Sequence, residues 1–257
     1  MGAGITVYND SGSIQIDGEY SNLSVLETQY VTLDTITGPV PGGAHIAPTG
    51  NNYGNIYVHA KQIKLPSNTV IAAFLGLDSR YVYSANDVGK VSSTDSSDCF
   101  SLTAMWDNTQ QPFPSTSGLP QAKLVFFGLS KNTSLAEKKY LQIFNEQEEQ
   151  IFTASRPTLR VFNQILGNNT VFNTAPYTVA SISKPVEKNI AICVSAHAAY
   201  RIFTYGQGIA TYGHSFRFLN NSVDVIKYLN VWPHFIPFTA SVNIPYYNYL
   251  FVDITGY

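Results

Sequence analysis

Charged side chains are scarce in this sequence. Asp, Glu, Lys and Arg make up 12% of its 257 residues, whereas an average soluble domain has about 25%. The formal net charge is −2, and nucleic acids and anionic membranes are bound through clustered basic residues. The composition therefore gives no electrostatic basis for either partner. Depletion of charge together with many aromatic residues is instead typical of surfaces that other subunits cover.

Cysteine and long apolar runs are also scarce. The two cysteines, Cys99 and Cys193, lie far apart among small or apolar neighbours, which predicts two buried free thiols, although spacing alone leaves a disulfide open. No apolar run approaches the ~18 residues of a membrane helix, and no signal peptide is recognisable. We therefore expect a soluble protein that is made in the cytoplasm.

Catalytic and metal-binding motifs are missing as well. The histidines lack metal-ligand spacing; they are His45, His59, His197, His214 and His234. The segment Gly213-His214-Ser215 lacks the second glycine of a nucleophile elbow. The Gly/Tyr-rich stretch 205–213 lacks the lysine of a phosphate-binding loop. The sequence predicts no catalytic, cofactor or metal site, and hence no enzyme.

A glycan-degrading enzyme is the alternative that these motifs leave open, because its two carboxylates need no fixed spacing. Five aspartates are candidates: Asp95, Asp98, Asp107, Asp224 and Asp253. Three glutamates, Glu146, Glu148 and Glu149, are predicted to form a solvated turn, because a calcium loop alternates Asp and Asn with a glycine.

Aromatic and β-branched residues are abundant, with 17 Tyr and 15 Phe. They form short apolar runs separated by turn residues, a pattern that predicts an all-β fold of antiparallel β-sandwich modules. Residues 35–55 have the composition of a long loop. Helices are predicted only as short segments, at Ser134–Lys139 and Ser222–Leu229.

The N-terminal strand pattern recurs later in the chain. Residues 5–26 align with residues 141–162 at a constant offset of 136, as Asn9 does with Asn145. The match indicates either an internal duplication or the general tendency of amphipathic hairpins to align in register. With duplication, the chain divides into a module at 1–133 and a second, degenerate module at 138–257.

One aromatic cluster is a candidate for ligand binding. Residues 246–249 read Tyr-Tyr-Asn-Tyr, and Tyr and Asn can present stacking faces and hydrogen-bonding groups to a glycan. Alternate tyrosines beside Leu250 and Phe251 are more typical of one face of a buried strand.

The N-terminal hairpin resembles that of a family of tailed-bacteriophage virion proteins. Residues 4–12 read Gly-Ile-Thr-Val-Tyr-Asn-Asp-Ser-Gly, which fits a Gly-x-x-Val-Tyr-Asn-x-x-Gly hairpin followed by an apolar strand and a Leu-x-Val strand. The copy at 140–162 lacks the turn glycine. The resemblance implies a virion component associated with the tail or a tail fibre, and it brings no catalytic residues.

Two functions are expected from these observations. The first is a non-enzymatic structural protein of the virion that assembles with copies of itself and with other virion proteins. The second is a host-recognition module, in which 1–133 attaches to the particle and 138–257 contacts a surface glycan or an outer-membrane protein. Neither requires a cofactor, nucleic acid or insertion into a membrane.

Overall fold

A computed structural model of the chain describes residues 7–8, 14–16, 22–35, 58–88, 99–106, 118–129, 141–144, 147–148, 150–154, 156–168, 177–193, 199–204, 208–232, 242–243 and 246–257. Every regular element in these ranges is a β-strand, and the strands pair antiparallel. The all-β prediction is therefore confirmed. The strands are β1 (Val7–Tyr8), β2 (Ile14–Ile16), β3 (Leu23–Thr32), β4 (Asp34–Thr35), β5 (Val58–Lys64), β6 (Ile71–Gly76), β7 (Tyr81–Val88), β8 (Cys99–Trp106), β9 (Gln121–Leu129), β10 (Gln142–Phe144), β11 (Gln150–Thr153), β12 (Val161–Asn168), β13 (Tyr177–Ser183), β14 (Ile190–Cys193), β15 (Ala199–Thr204), β16 (Gly208–Phe218), β17 (Ser222–Trp232), β18 (Val242–Asn243) and β19 (Tyr246–Asp253).

The predicted helix at Ser222–Leu229 is wrong, because this segment lies in strand β17. Its sequence begins Ser-Val-Asp-Val-Ile, in which β-branched residues favour an extended backbone. Residues 223–226 are buried between neighbouring strands, and pairing with β13 and β16 overrides any local helical preference. The other predicted helix, Ser134–Lys139, and almost all of the predicted loop at 35–55 lie outside the described residues.

Two large sheets make up most of the fold. The first has six strands in the order β12-β19-β14-β6-β9-β3, and the second has nine strands, seven of which follow the order β13-β17-β16-β7-β8-β5-β4. Strands β15 and β18 extend the second sheet beside β16. In each sheet the strands before residue 133 lie together on one side, and those after residue 138 lie together on the other. The division of the chain into two modules stays a prediction, but the sheets divide at the same boundary.

The two halves join at the middle of each sheet. In the six-stranded sheet β6 pairs with β14, where Ala73 lies opposite Cys193. In the nine-stranded sheet β7 pairs with β16, where Tyr83 lies opposite Phe216. Both halves therefore contribute to each sheet.

The outer strands of the six-stranded sheet, β3 and β12, also meet at one end. Ser24 forms a bridge with Thr158, and the Leu159 amide donates to the Leu23 carbonyl at 2.8 Å. The start of β3 and the segment that leads into β12 are thus hydrogen-bonded to each other. The two halves therefore join at three seams: the β6–β14 pair, the β7–β16 pair and this contact.

The strand registers of the two halves correspond closely. Val7 pairs with Ile16 in the first hairpin, and Ile143 pairs with Phe152 in the second, each residue being 136 positions from its counterpart. The register shifts between Val7 and Tyr8 in the first hairpin and between Ile143 and Phe144 in the second, as at a β-bulge. The predicted alignment at this offset thus relates strands that pair in the same way, although duplication itself stays a prediction.

A second bulge repeats the correspondence. In β3 the register shifts between Val25 and Glu27, and in β12 it shifts between Val161 and Asn163, again at an offset of 136. Because a bulge inserts one unpaired residue at a defined place, amphipathic alternation alone does not explain two coincident bulges. The backbone therefore pairs in a similar way at corresponding positions of β1–β3 and β10–β12.

The main core lies between the two sheets. Phe74 of β6 contacts Phe216 and Phe218 of β16 with ring centroids 6.0 and 5.9 Å apart, and Phe216 contacts Tyr249 of β19 edge to face at 4.9 Å. These contacts link both sheets and both halves in one cluster. The packing is that of a β-sandwich.

Candidate functional site

The segment Gly213-His214-Ser215 lies within strand β16 and not at a turn. His214 is buried, and its Nδ1 atom lies 2.8 Å from the hydroxyl of Tyr249. The Ser215 side chain is also buried. A nucleophile elbow needs an exposed serine on a sharp turn between a strand and a helix, so this segment does not have that geometry.

Two tyrosines of the aromatic cluster at 246–249, Tyr247 and Tyr249, pack in the core. Tyr249 has no exposed surface; its ring stacks on that of Tyr247 at 5.3 Å and also packs against His214. Tyr247 in turn contacts the edge of the His214 ring at 4.8 Å. These two tyrosines stabilise the packing between the sheets, and Tyr249 is not available to a glycan.

The two described candidate aspartates each form ion pairs. Asp224 lies 3.0 Å from Arg217 in a buried pair and accepts a hydrogen bond from Ser181 at 2.7 Å. Asp253 lies 2.7 Å from Lys188. The structure therefore gives both carboxylates a structural role in pairing adjacent chain segments, whereas Asp95, Asp98 and Asp107 lie outside the described residues.

A polar network surrounds Asp253 near the C-terminus. Burial alone would raise the pKa of Asp253, but hydrogen bonds from Lys188 and Thr255 and the charge of Arg160 outweigh it and lower the pKa to about 2. Arg160 also lies 4.6 Å from the ring centroid of Tyr257. The network holds the C-terminal turn against Arg160, the residue that precedes β12.

A short polar row crosses the centre of the nine-stranded sheet, on the face that points away from the six-stranded sheet. Ser84 of β7 lies opposite Thr103 of β8, and their hydroxyl oxygens are 2.6 Å apart. Ser215 of β16 lies opposite Ile226 of β17. Its Oγ atom is buried and has no hydrogen-bond partner among the residues that the structure describes.

The exposed apolar side chains lie mainly on edge strands and turns. Tyr30 on β3 is 69% exposed and Leu166 on β12 is 67% exposed; the two residues are 136 positions apart. The second hairpin adds Leu141 and Phe144, which are also exposed. These positions make the outer edges of the six-stranded sheet the best candidates for an interaction surface.

Among the described residues, no group of three His, Cys, Asp or Glu side chains is placed to hold a metal ion. Glu148 is exposed in a turn and has a φ of 62°, while Glu146 and Glu149 are outside the described part. Cys193 is buried and free, so it forms no disulfide with Cys99. In the ranges that are described, no helix could cross a membrane.

Sequence reasoning missed the edge-strand surface and the central polar row. A signal for the first was present, since the offset of 136 that aligns the hairpins also aligns Tyr30 with Leu166. The polar row left no comparable signal, because it depends on which strands of the two halves become neighbours.

Comparison of the chain with protein-family models, with curated proteins and with solved structures found no match.

Proposed function

We propose that this chain is a non-enzymatic structural protein of a bacteriophage virion, associated with the tail or a tail fibre. The observation that carries the proposal is the N-terminal motif at 4–12, which resembles a hairpin of tail-associated virion proteins. The parts of this motif and of the following strand that the structure describes, β1 and β2, pair as a hairpin.

Two physical features support a structural role. The chain has few charged residues for its size, as expected for a subunit whose surface is extensively covered in an assembly. The candidate aspartates Asp224 and Asp253 are engaged in ion pairs, and His214 is packed between the sheets. The fold thus uses its polar groups for its own stability.

A host-recognition module is the second candidate. The exposed Leu141 and Phe144 on the hairpin of the second half favour it, because exposed apolar side chains are typical of recognition surfaces. Such a module would bind through this hairpin and not through Tyr249, which is buried.

The test is to purify intact particles of a phage that carries this gene and to locate the chain by cryo-electron microscopy and immunogold labelling. Density at the tail, with the chain retained through a high-salt wash, is the expected result. Absence of the chain from purified particles would refute the virion proposal. An outward-facing second hairpin, with adsorption blocked by excess purified chain, would favour host recognition over a purely structural role.

A further inference from the structure

We propose that the outer edge of β12 is a docking site for a second copy of this chain, which pairs antiparallel through its own β12 about a two-fold axis. The inference goes beyond the virion role and does not depend on it. It rests on how the two halves already pair within one molecule and on the side chains that β12 leaves exposed.

Corresponding strands of the two halves pair with each other at each seam. Strands β6 and β14, which hold equivalent places in the order β12-β19-β14-β6-β9-β3, meet with Ala73 opposite Cys193. The third seam joins Leu23 to Leu159, which are 136 positions apart, through a hydrogen bond of 2.8 Å. The backbone of one half is thus complementary to a similar backbone that runs antiparallel to it.

The third seam is short and ends where β12 begins. Beyond Val161, β12 pairs with β19 on its inner side, and within the described ranges no strand pairs with its outer side. The free backbone groups of an edge strand form a template for another strand. A second copy would therefore extend the third seam by forming backbone hydrogen bonds along the outer side of β12.

The side chains of β12 do nothing to prevent such pairing. The strand reads Val-Phe-Asn-Gln-Ile-Leu-Gly-Asn, with neither charge nor proline. Soluble proteins normally protect an edge strand with lysine, proline or an inward-pointing charge. Val161 is 58% exposed and Leu166 is 67% exposed, so pairing would cover two apolar side chains that are otherwise in water.

The other outer strand, β3, is less suited to the same contact. Glu27 is exposed on it, and two-fold pairing would bring two copies of this carboxylate near each other, which is unfavourable. Arg156 also donates to the carbonyl oxygens of Val25 and Leu26 at 3.2 and 3.4 Å and so occupies part of that edge. These differences favour β12 over β3 as the strand that pairs across the two-fold axis of a dimer.

The experiment is sedimentation equilibrium of the full chain over a wide concentration range, with two matched variants. Leu166→Lys places a charge on the proposed edge. Val186→Lys places the same charge on an equally exposed residue in the turn between β13 and β14. Circular dichroism and thermal melting check that both variants keep the fold.

We expect the wild-type chain and Val186→Lys to dimerise with equal affinity, and Leu166→Lys to weaken dimerisation at least tenfold. A wild-type chain that stays monomeric at the highest concentration overturns the proposal and leaves the edge to a different protein. A dimer that Leu166→Lys does not weaken, or that both variants weaken equally, also overturns it. A monomeric chain found in particles would refute this inference alone, whereas a dimer absent from particles would refute the virion role alone.

Discussion

The two serines at the centre of the nine-stranded sheet should respond in opposite ways to the same substitution. Ser84 and Ser215 lie on β7 and β16, the strands that join the two halves, and both are almost completely buried. The Ser84 hydroxyl has a partner in Thr103 at 2.6 Å. Within the described part of the chain the Ser215 hydroxyl has no partner, so Ser215→Ala should stabilise the protein and Ser84→Ala should destabilise it.

The magnitudes follow from the hydrogen bonds. A buried hydroxyl without a partner costs about 1–3 kcal/mol, and a neutral hydrogen bond contributes about 0.5–1.5 kcal/mol. In the Ser84→Ala variant, Thr103 still donates to the Ser84 carbonyl at 3.2 Å, so no new unpaired group is created. The two effects have opposite signs, so the free energies of unfolding of the two variants should differ by about 1.5–4.5 kcal/mol. Because both are Ser→Ala changes in adjacent strands, differences in strand propensity largely cancel.

Urea denaturation followed by circular dichroism measures this difference, and the unfolding midpoint of Ser215→Ala should exceed that of the wild type. In a chain of this size, 1 kcal/mol corresponds to a shift of about 2–4 °C in Tm, so differential scanning calorimetry provides an independent check. Equal destabilisation by both variants would refute the reasoning, because it would mean that Ser215 has a stabilising partner such as a buried water molecule.

Three further predictions concern the core, the C-terminal network and the free thiol. Phe216→Ala should lower the free energy of unfolding by about 3–5 kcal/mol, since it leaves a cavity between the sheets. Phe144→Ala on the exposed hairpin should change it by less than about 0.5 kcal/mol. Urea denaturation of both variants tests this, and similar effects of the two would contradict the packing of Phe216. Because the pKa of Asp253 is lowered to about 2 in the folded chain, its stabilising contribution is complete above the ordinary pKa of about 4 and is lost as the pH falls towards 2. Asp253→Asn should therefore flatten the dependence of stability on pH in this window, and an unchanged pH profile would count against the network. Burial raises the pKa of Cys193 to about 12, so at pH 8 a thiol reagent should modify it only after unfolding, as followed by mass spectrometry; rapid labelling of the folded chain would show that the site is open.

Much of the strand content could be predicted from the sequence, because alternation and β-branched composition are local properties. The runs that become β6 and β9 were recognisable from their apolar residues and flanking turns. The prediction of a helix at Ser222–Leu229 was wrong, because the extended conformation of this segment depends on pairing with two other strands. Strand β13 is distant in the sequence, and β16 is separated from the segment by a turn. Where pairing decides the conformation, a short sequence window is insufficient.

The candidate surface was harder to predict than the fold. Exposure of Leu166 follows from the position of β12 at the edge of a sheet, and strand order is not encoded in any single strand. Tyr249 is unavailable to a glycan for a related reason: β19 pairs on both sides, with β12 and β14, and Tyr249 faces the other sheet. The alternative that alternate tyrosines fill one face of a strand describes Tyr249 correctly.

A duplication that joined two similar halves in one polypeptide would have an evolutionary consequence at the central seam. In a symmetric dimer of identical chains, any substitution occurs in both chains. A change at Thr103 would therefore also change the same residue of the second chain. Here Thr103 faces Ser84 while Ile226 faces Ser215. One side has a polar contact and the other does not. In a single chain, separate mutations can therefore make the two sides of the seam different. Each half can then adapt to a different neighbour.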